Sequence, residues 1–215
     1  LELPHPFVST MGTRMMFRGM ALLITGAAPI AGFPDGILFL GYANIAEYFP
    51  IGFLLVIIIF IIAGVFLNKT ALGRQIYSVG GNKEAARLSG INVKGTLNFA
   101  YIMSGLMASV AGIVLLGRIS CAFPLAGETY DMDAIAACVI GGASFLGGKG
   151  TVQGTLIGAL LIAIIRNGLD LMGAMSDTQF VVIGAVIVIA VFIDVVRIKA
   201  EERTRRMAQA KALAE

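Results

Sequence analysis

Long apolar runs alternate with short polar segments along the chain, and their lengths predict helices that cross a membrane. The clearest run is residues 51–67, which holds no charged side chain. A helix over this run is about 25 Å long, close to the ~30 Å hydrocarbon thickness of a bilayer. Residues 96–117 form a second clear run, and further apolar runs occupy residues 6–25, 150–171 and 178–193. The pattern predicts an all-α, polytopic membrane protein.

One more apolar run, residues 134–146, is short and leads into the glycine pairs Gly141-Gly142 and Gly147-Gly148. We expect a broken or tilted crossing, whose freed backbone groups must pack against protein or line a water-filled path. If the segment packs against protein, the glycines form a packing kink. If it lines a water-filled path, the substrate pathway includes Gly141, Gly142, Ala143 and Ser144. Counting this run gives about six membrane segments and places a basic tail, residues 197–215, in the cytoplasm. Residues 1–196 then form one transmembrane domain.

The sequence predicts structural roles for several polar and small residues in or next to these runs. Gly150, Gly154 and Gly158 lie at four-residue spacing, which predicts a helix face packed closely against another helix. Arg166 and Asp170 are one turn apart and are expected to pair. Asp133, just before the short apolar run, is expected to be an N-cap rather than a catalytic group.

Two regions before the first clear run are less regular. Arg14 and Arg18 share one helical face, and a charge at bilayer depth costs about 2.5–3.5 kcal/mol, so this face should meet protein or water. Residues 26–50 are rich in proline and glycine and carry acidic residues without lysine or arginine. They predict an irregular connection outside the membrane.

The long polar passage between the two clear runs, residues 68–95, carries the signals of a short helix. Asn82 predicts the N-cap, Glu84 suits the positive end of the helix dipole, Arg87 suits the negative end, and Gly90 supplies a left-handed stop. A helix of barely two turns is not stable alone in water, so it must pack against something. The apolar residues it offers for packing are Ala85, Ala86, Leu88 and Ile91.

The charge of this passage predicts its side of the membrane. It carries a clear excess of lysine and arginine over its single acid, Glu84, which places it in the cytoplasm by the positive-inside rule. A capped surface loop between two membrane helices is the alternative to a helix that docks on another protein.

Composition agrees with a membrane protein and narrows its chemistry. Hydrophobic residues make up 58% of the chain and charged residues only 13%, whereas soluble domains have about 25% charged residues. The net charge of +3 comes from basic residues between membrane segments and at the C-terminus, which argues against nucleic-acid binding. No nucleophile–base pair, paired carboxylates or metal-ligand spacing is present in the sequence, so we expect neither an enzyme nor a cofactor or metal site.

Two motifs resemble one family of transport proteins. The segment GGNKEAARLSGINV, residues 80–93, resembles the cytoplasmic coupling loop of permease subunits in bacterial ATP-binding-cassette (ABC) sugar importers of the ribose and xylose type. The resemblance continues in AIAACVIGGASFLGGKGTVQGTLIGA, residues 134–159, and covers nearly the whole chain up to about Asp194. Permeases of this family have further helices ahead of Pro4, so the resemblance implies the C-terminal part of a longer permease.

The resemblance also implies partners and a mechanism. Two permease copies form the pathway in the bacterial inner membrane, cytoplasmic ATPase subunits bind the coupling loops, and an extracytoplasmic binding protein delivers a monosaccharide. The short helix then acts as a helix-in-groove contact through which ATPase closure rocks the membrane helices. The residues it implies for ATPase coupling are Gly81, Asn82, Glu84, Ala85, Ala86, Leu88, Gly90 and Ile91.

Three alternative functions remain. A permease of a branched-chain amino-acid importer has a similar coupling loop, although Gly-Gly-Asn before Lys83 and Gly147-Gly-Lys-Gly150 are more similar to the sugar branch. A secondary transporter needs ionisable residues near the membrane midplane, and the two clear runs hold none. A membrane anchor has no need for a glycine-broken segment.

Overall fold

The structure is a computed structural model that describes residues 6–45, 49–144 and 147–212. The parts of the predicted segments at residues 1–5, 46–48, 145–146 and 213–215 lie outside the described residues. Within the described ranges the chain is mainly helical. The helices are α1 (Pro6–Thr25), α2 (Asp35–Tyr42), α3 (Ile51–Lys69), α4 (Ala71–Gly81), α5 (Lys83–Leu88), α6 (Val93–Ile119), α7 (Tyr130–Ile140), α8 (Val152–Leu171) and α9 (Ser176–Ala212).

Two pairs of very short strands lie in the segments that connect the helices. Strand β1 (Ile30–Ala31) pairs antiparallel with β4 (Cys121–Ala122), and β2 (Asn44–Ile45) pairs antiparallel with β3 (Phe49–Pro50). Each strand has two residues, so these pairs fasten loops and do not build a core.

Three of the described helices, α3, α6 and α8, are long and apolar enough to cross a membrane. A shorter apolar stretch, Asp177–Ile193, lies in α9. The prediction of a helical membrane protein is confirmed at this level, because the described chain is mainly helical and three of its helices have the length and composition of membrane spans. The number of crossings, about six by sequence, stays a prediction.

The chain divides into two compact units. The first comprises Leu1–Ile58 and Ile102–Glu128. Within it, α2 occupies part of the connection that we predicted to be irregular, residues 26–50, and this part of the prediction is wrong. A Cβ built on Gly41 of α2 would overlap the backbone of Gly117 and Arg118 in α6, so the helix is held by direct backbone contact. A segment of eight residues is too short for its hydrophobic periodicity to predict a helix that depends on such a contact.

The two arginines of α1 both contact Glu128 in the first unit. Arg18 Nη1 lies 3.0 Å from Glu128 Oε1, and Arg14 Nη2 donates to the Glu128 carbonyl. This agrees with the expectation that their shared face meets protein or water.

The second unit comprises Ile59–Tyr101 and Thr129–Glu215. Its core lies where α7 packs against α8 and α9, around the buried residues Ala136, Ala137 and Ile162. A Cβ built on Gly158 would overlap the Ala137 carbonyl, and one built on Gly154 would overlap the Gly141 carbonyl. These two glycines therefore face another helix, as predicted.

Gly150, the third predicted member of this stripe, does not lie on the helix. Helix α8 begins at Val152, and the Thr151 hydroxyl caps it by accepting a hydrogen bond from the Gly154 amide at 3.0 Å. A threonine at this position satisfies a free first-turn amide, which explains why the helix starts after Gly150.

Two predictions about charged residues are wrong. Helix α7 begins at Tyr130, earlier than predicted, so Asp133 lies in its first turn and is not the N-cap. Its carboxylate pairs with Arg166 Nη2 at 2.6 Å across α7 and α8. Asp170, the predicted partner of Arg166, accepts a hydrogen bond from Gln179 at 2.6 Å. Both pairs join different helices, and spacing within one helix does not reveal them.

Candidate functional site

The chain turns sharply after α3 and enters α4, a helix that the sequence reasoning missed. The Thr70 hydroxyl caps α4 by accepting a hydrogen bond from the Gly73 amide at 3.1 Å. Gly73 lies so close to Leu67 that a Cβ would overlap the Leu67 backbone, and only glycine fits there. The missed signal was a threonine cap followed by apolar Leu72, Ile76 and Val79 at helical spacing.

Helix α5 has the ends that the sequence predicted. Asn82 Oδ1 accepts a hydrogen bond from the Ala85 amide at 3.0 Å, which caps the start. Gly90 adopts φ +81° just past the end, and the Ile91 amide donates to the Ala86 carbonyl at 3.0 Å. Glu84 and Arg87, one turn apart, form an exposed ion pair of 2.9 Å. The predicted capping and stop of this short helix are confirmed.

The apolar residues of α5 divide into two faces. Ala86 is buried, at 4% exposure, whereas Leu88 is 82% exposed. Ala85 is also exposed, and Ile91 is half-buried. Within the described chain, α5 therefore packs through Ala86 and presents Leu88 to the outside.

The glycine-rich segment after α7 folds into a turn. Gly141 ends α7, and Gly142, Gly147 and Gly148 all have φ between +75° and +92°. The Ser144 amide donates to the Lys149 carbonyl at 3.0 Å, which closes the turn. These left-handed backbone angles explain why the sequence places glycine at each position.

This turn rests on the end of α4. A Cβ built on Gly80 would lie 2.6 Å from the Gly148 amide nitrogen, so the two backbones touch. Beside them, the Tyr77 hydroxyl donates a hydrogen bond to the Gly150 carbonyl at 2.9 Å. The predicted coupling segment and the predicted pathway segment, far apart in sequence, are thus in contact.

A cavity of about 340 Å³ opens beside this contact. Its walls are one side of α4, the first residue of α5, the first turns of α6, and the glycine turn. The lining residues are Ile76, Tyr77, Val79, Gly80, Lys83, Thr96, Leu97, Ala100, Gly147, Gly148 and Lys149.

The predicted pathway residues sit at the base of this turn. Gly141 packs against the backbone of Gly154 and Thr155, and Ala143 contacts Gly150. Gly142 has open space around it, and Ser144 closes the turn. Their contact with a passing substrate stays a prediction. The sequence reasoning named the pair Gly147-Gly148 but missed Tyr77, Gly80 and the contact itself, because no local pattern links residues 77–80 with residues 147–150.

The ends of the polar passage are held together by aromatic packing. The rings of Phe66 in α3 and Phe99 in α6 stack with centroids 5.6 Å apart. Because α4 and α5 lie in the chain between these two residues, the passage leaves and returns at neighbouring points. Among the described residues, no group of three or more His, Cys, Asp or Glu side chains is placed to hold a metal ion.

Comparison with known proteins finds relatives that are all named as transport permeases. A family model described as "Branched-chain amino acid transport system / permease component" matches residues 3–191. The chain is 43% identical over 192 residues to the ribose import permease protein RbsC of Bacillus subtilis (strain 168), covering 88% of this chain and 59% of that protein. It is 42% identical over 193 residues to RbsC of Escherichia coli (strain K12), covering 87% and 60%.

A third relative is named for a different sugar, xylose. The chain is 45% identical over 147 residues to the xylose transport system permease protein XylH of Haemophilus influenzae (strain ATCC 51907 / DSM 11121 / KW20 / Rd), covering 68% of this chain and 38% of that protein. The chain thus spans 59% and 60% of the length of the two ribose permeases. No solved structure matches it.

Proposed function

The chain belongs to the branched-chain amino acid transport system / permease component family, and from this membership we propose that it is the membrane-spanning subunit of an ABC importer for a monosaccharide. It carries the sugar across the bacterial inner membrane as a multi-pass protein. A separate ATPase subunit hydrolyses the ATP, and the permease itself is not an enzyme.

The named relatives favour a sugar over an amino acid. The family description mentions branched-chain amino acids, but the relatives at 43%, 42% and 45% identity are named for ribose and xylose. The substrate class is therefore a pentose or a similar monosaccharide. A branched-chain amino acid is the second candidate, favoured by the family description alone.

The partners follow from the same proposal. The chain supplies the later helices of a longer permease with about six crossings in this part. A second permease copy completes the pathway, ATPase subunits bind on the cytoplasmic side, and an extracytoplasmic binding protein delivers the sugar. Lipid surrounds the apolar faces of α3, α6 and α8.

One observation carries the proposed mechanism: a short helix that is capped at both ends presents a large apolar side chain to the outside. Leu88 is 82% exposed on α5, while Ala86 on the opposite side anchors the helix to its own chain. Burying a leucine side chain contributes about 1.5–3 kcal/mol, so α5 is suited to dock in an apolar groove of the ATPase. Nucleotide-driven closure of the ATPases then moves α5 and opens the pathway alternately to each side.

The test uses the complete importer in membrane vesicles. With ATP and the binding protein, the wild-type importer should accumulate labelled ribose or xylose and not leucine. Leu88→Asp should abolish co-purification of the ATPase and uptake, because a buried carboxylate opposes docking, while the permease still inserts into the membrane.

The matched control is Ala71→Asp, which adds the same charge at an exposed position in the first turn of α4, where an acid suits the helix dipole. It should keep the ATPase bound. Normal co-purification with Leu88→Asp would exclude α5 as the docking helix, and leucine uptake by the wild type would favour the amino-acid candidate.

A further inference from the structure

Two glycine pairs meet in the second unit and form what we call the glycine joint: Gly80 and Gly81 at the end of α4, and Gly147 and Gly148 in the turn after α7. A Cβ built on Gly148 would lie 2.6 Å from the Gly81 Cα atom, and one built on Gly147 would lie 2.9 Å from the Gly80 carbonyl oxygen. Both distances are shorter than a side chain tolerates. The four glycines therefore touch one another through backbone atoms.

A contact of this kind is stiff. Long side chains can change rotamer and absorb a displacement of one segment, whereas packed backbone atoms have no such freedom. The Tyr77 hydroxyl adds a directional tie, because it donates to the Gly150 carbonyl at 2.9 Å from a half-buried ring on α4. The end of α4 and the turn are thus joined both by backbone packing and by a side-chain hydrogen bond.

On one side the glycine joint continues into α5. The Asn82 amide donates to the Ser78 carbonyl in α4 at 3.1 Å, and the Asn82 side chain caps α5. One residue therefore belongs to the hydrogen bonding of both helices, and α5 cannot turn freely relative to α4.

On the other side the joint continues into α7 and α8. Gly150 is followed directly by Thr151, the N-cap of α8. Gly141 and Ala137 of α7 press on Gly154 and Gly158 of α8 through backbone contact. The two helices are thus closely packed against each other.

We propose that the glycine joint passes the movement of α5 to the pair α7 and α8, and that Tyr77 is the positioning residue that keeps the joint closed. The inference rests on the proposed function, since an ATPase must move α5. It adds that the glycine-rich turn acts in coupling, through contact with α4. Transport then depends on Tyr77 and Gly80, which lie outside the set of residues implied for ATPase coupling.

Two variants test the joint in the complete importer with its ATPase and binding protein. Gly80→Ala adds one methyl group where the Gly148 backbone leaves no room, although alanine favours the helix itself. Tyr77→Phe removes only the hydroxyl. In both, the ATPase should still co-purify and hydrolyse ATP, while sugar transported per ATP falls by about three- to tenfold, as expected for coupling lost at a network position.

The controls are matched in chemistry. Gly105→Ala adds the same methyl group in α6, where nothing lies within 4 Å of the added atom. Tyr101→Phe removes a hydroxyl from a ring that is 52% exposed. Both should keep the wild-type ratio of sugar to ATP. Wild-type ratios in Gly80→Ala and Tyr77→Phe as well would overturn the proposal, and so would loss of ATPase binding in those variants, because the joint would then serve docking only.

A second readout does not depend on transport. Amide hydrogen exchange in residues 141–151 of the wild-type permease should slow when the ATPase binds, and this change should be lost in Gly80→Ala. An unchanged response in the variant would overturn the proposal. Failure of the proposed function has a different signature, since the wild-type importer itself would neither bind an ATPase nor take up a monosaccharide.

Discussion

Gly90 shows how one backbone angle sets the end of the candidate docking helix. Its φ of +81° lies in the left-handed region, and nothing lies within 4 Å of a Cβ built there. A substitution at this position therefore meets no steric contact with other residues, and its cost comes from the backbone conformation alone. The position therefore separates conformational strain from packing, as Gly26, Gly32, Gly142 and Gly173 also do among the described residues.

We expect Gly90→Val to destabilise the end of α5 by about 1–2 kcal/mol, because a β-branched residue is strained at positive φ. Uptake should fall more than expression, since the helix end presents Leu88. Gly90→Asn is the control, because asparagine tolerates the left-handed region. Uptake and ATP hydrolysis measured on equal amounts of inserted permease give the result, and wild-type uptake by Gly90→Val would contradict it.

At the scale of elements, long uncharged runs were predictable and short packed helices were not. Helices α3, α6 and α8 follow from runs that only a bilayer-spanning helix explains. Helices α2 and α4 are too short for a reliable periodic signal, and each is held by a glycine pressed on a neighbouring backbone, Gly41 and Gly73. The predicted pairing of Arg166 with Asp170 was wrong for a related reason. Arg166 pairs instead with Asp133 of another helix, and spacing along one helix does not reveal such a partner.

The close approach of α7 and α8 predicts a measurable cost for a single methyl group. Gly154→Ala should lower the stability of the permease by about 1–3 kcal/mol, because the added Cβ overlaps the Gly141 carbonyl. Gly168→Ala, on the same helix with nothing within 4 Å of the new atom, should be neutral or stabilising. Thermal unfolding of both variants in detergent measures the difference. Equal midpoints for Gly154→Ala and the wild type would show that α7 and α8 separate easily.

At the scale of the whole molecule, the sequence named both halves of the candidate site but not their contact. The caps of α5 follow from Asn82 and Gly90, which act within a few residues. The contact between Gly80 and Gly148 joins segments that no local rule connects, so only the folded chain reveals it. The sequence motifs also left open whether the glycine turn is a packing kink or a pathway lining, and in the structure the turn packs on α4.

Cysteine labelling of the assembled importer tests the pathway role. If the turn also lines a water-filled path, cysteines at Ala143 and Ser144 should react with small water-soluble thiol reagents, and the rate should change when the ATPases are trapped with nucleotide. A cysteine at Ala136, which is fully buried between helices, is the unreactive reference. If both turn positions stay unreactive in every nucleotide state, the segment is buried scaffold and the sugar passes elsewhere.

The absence of side chains in the glycine joint restricts how it can change by mutation. Glycine is the smallest residue, so every missense change at Gly80 or Gly148 adds at least one carbon atom to a contact that has no space for it. Variation can therefore loosen the joint but not tighten it. A permease that needs different coupling must acquire it at other positions, such as the hydroxyl of Tyr77 or the exposed face around Leu88, where substitutions can act in both directions.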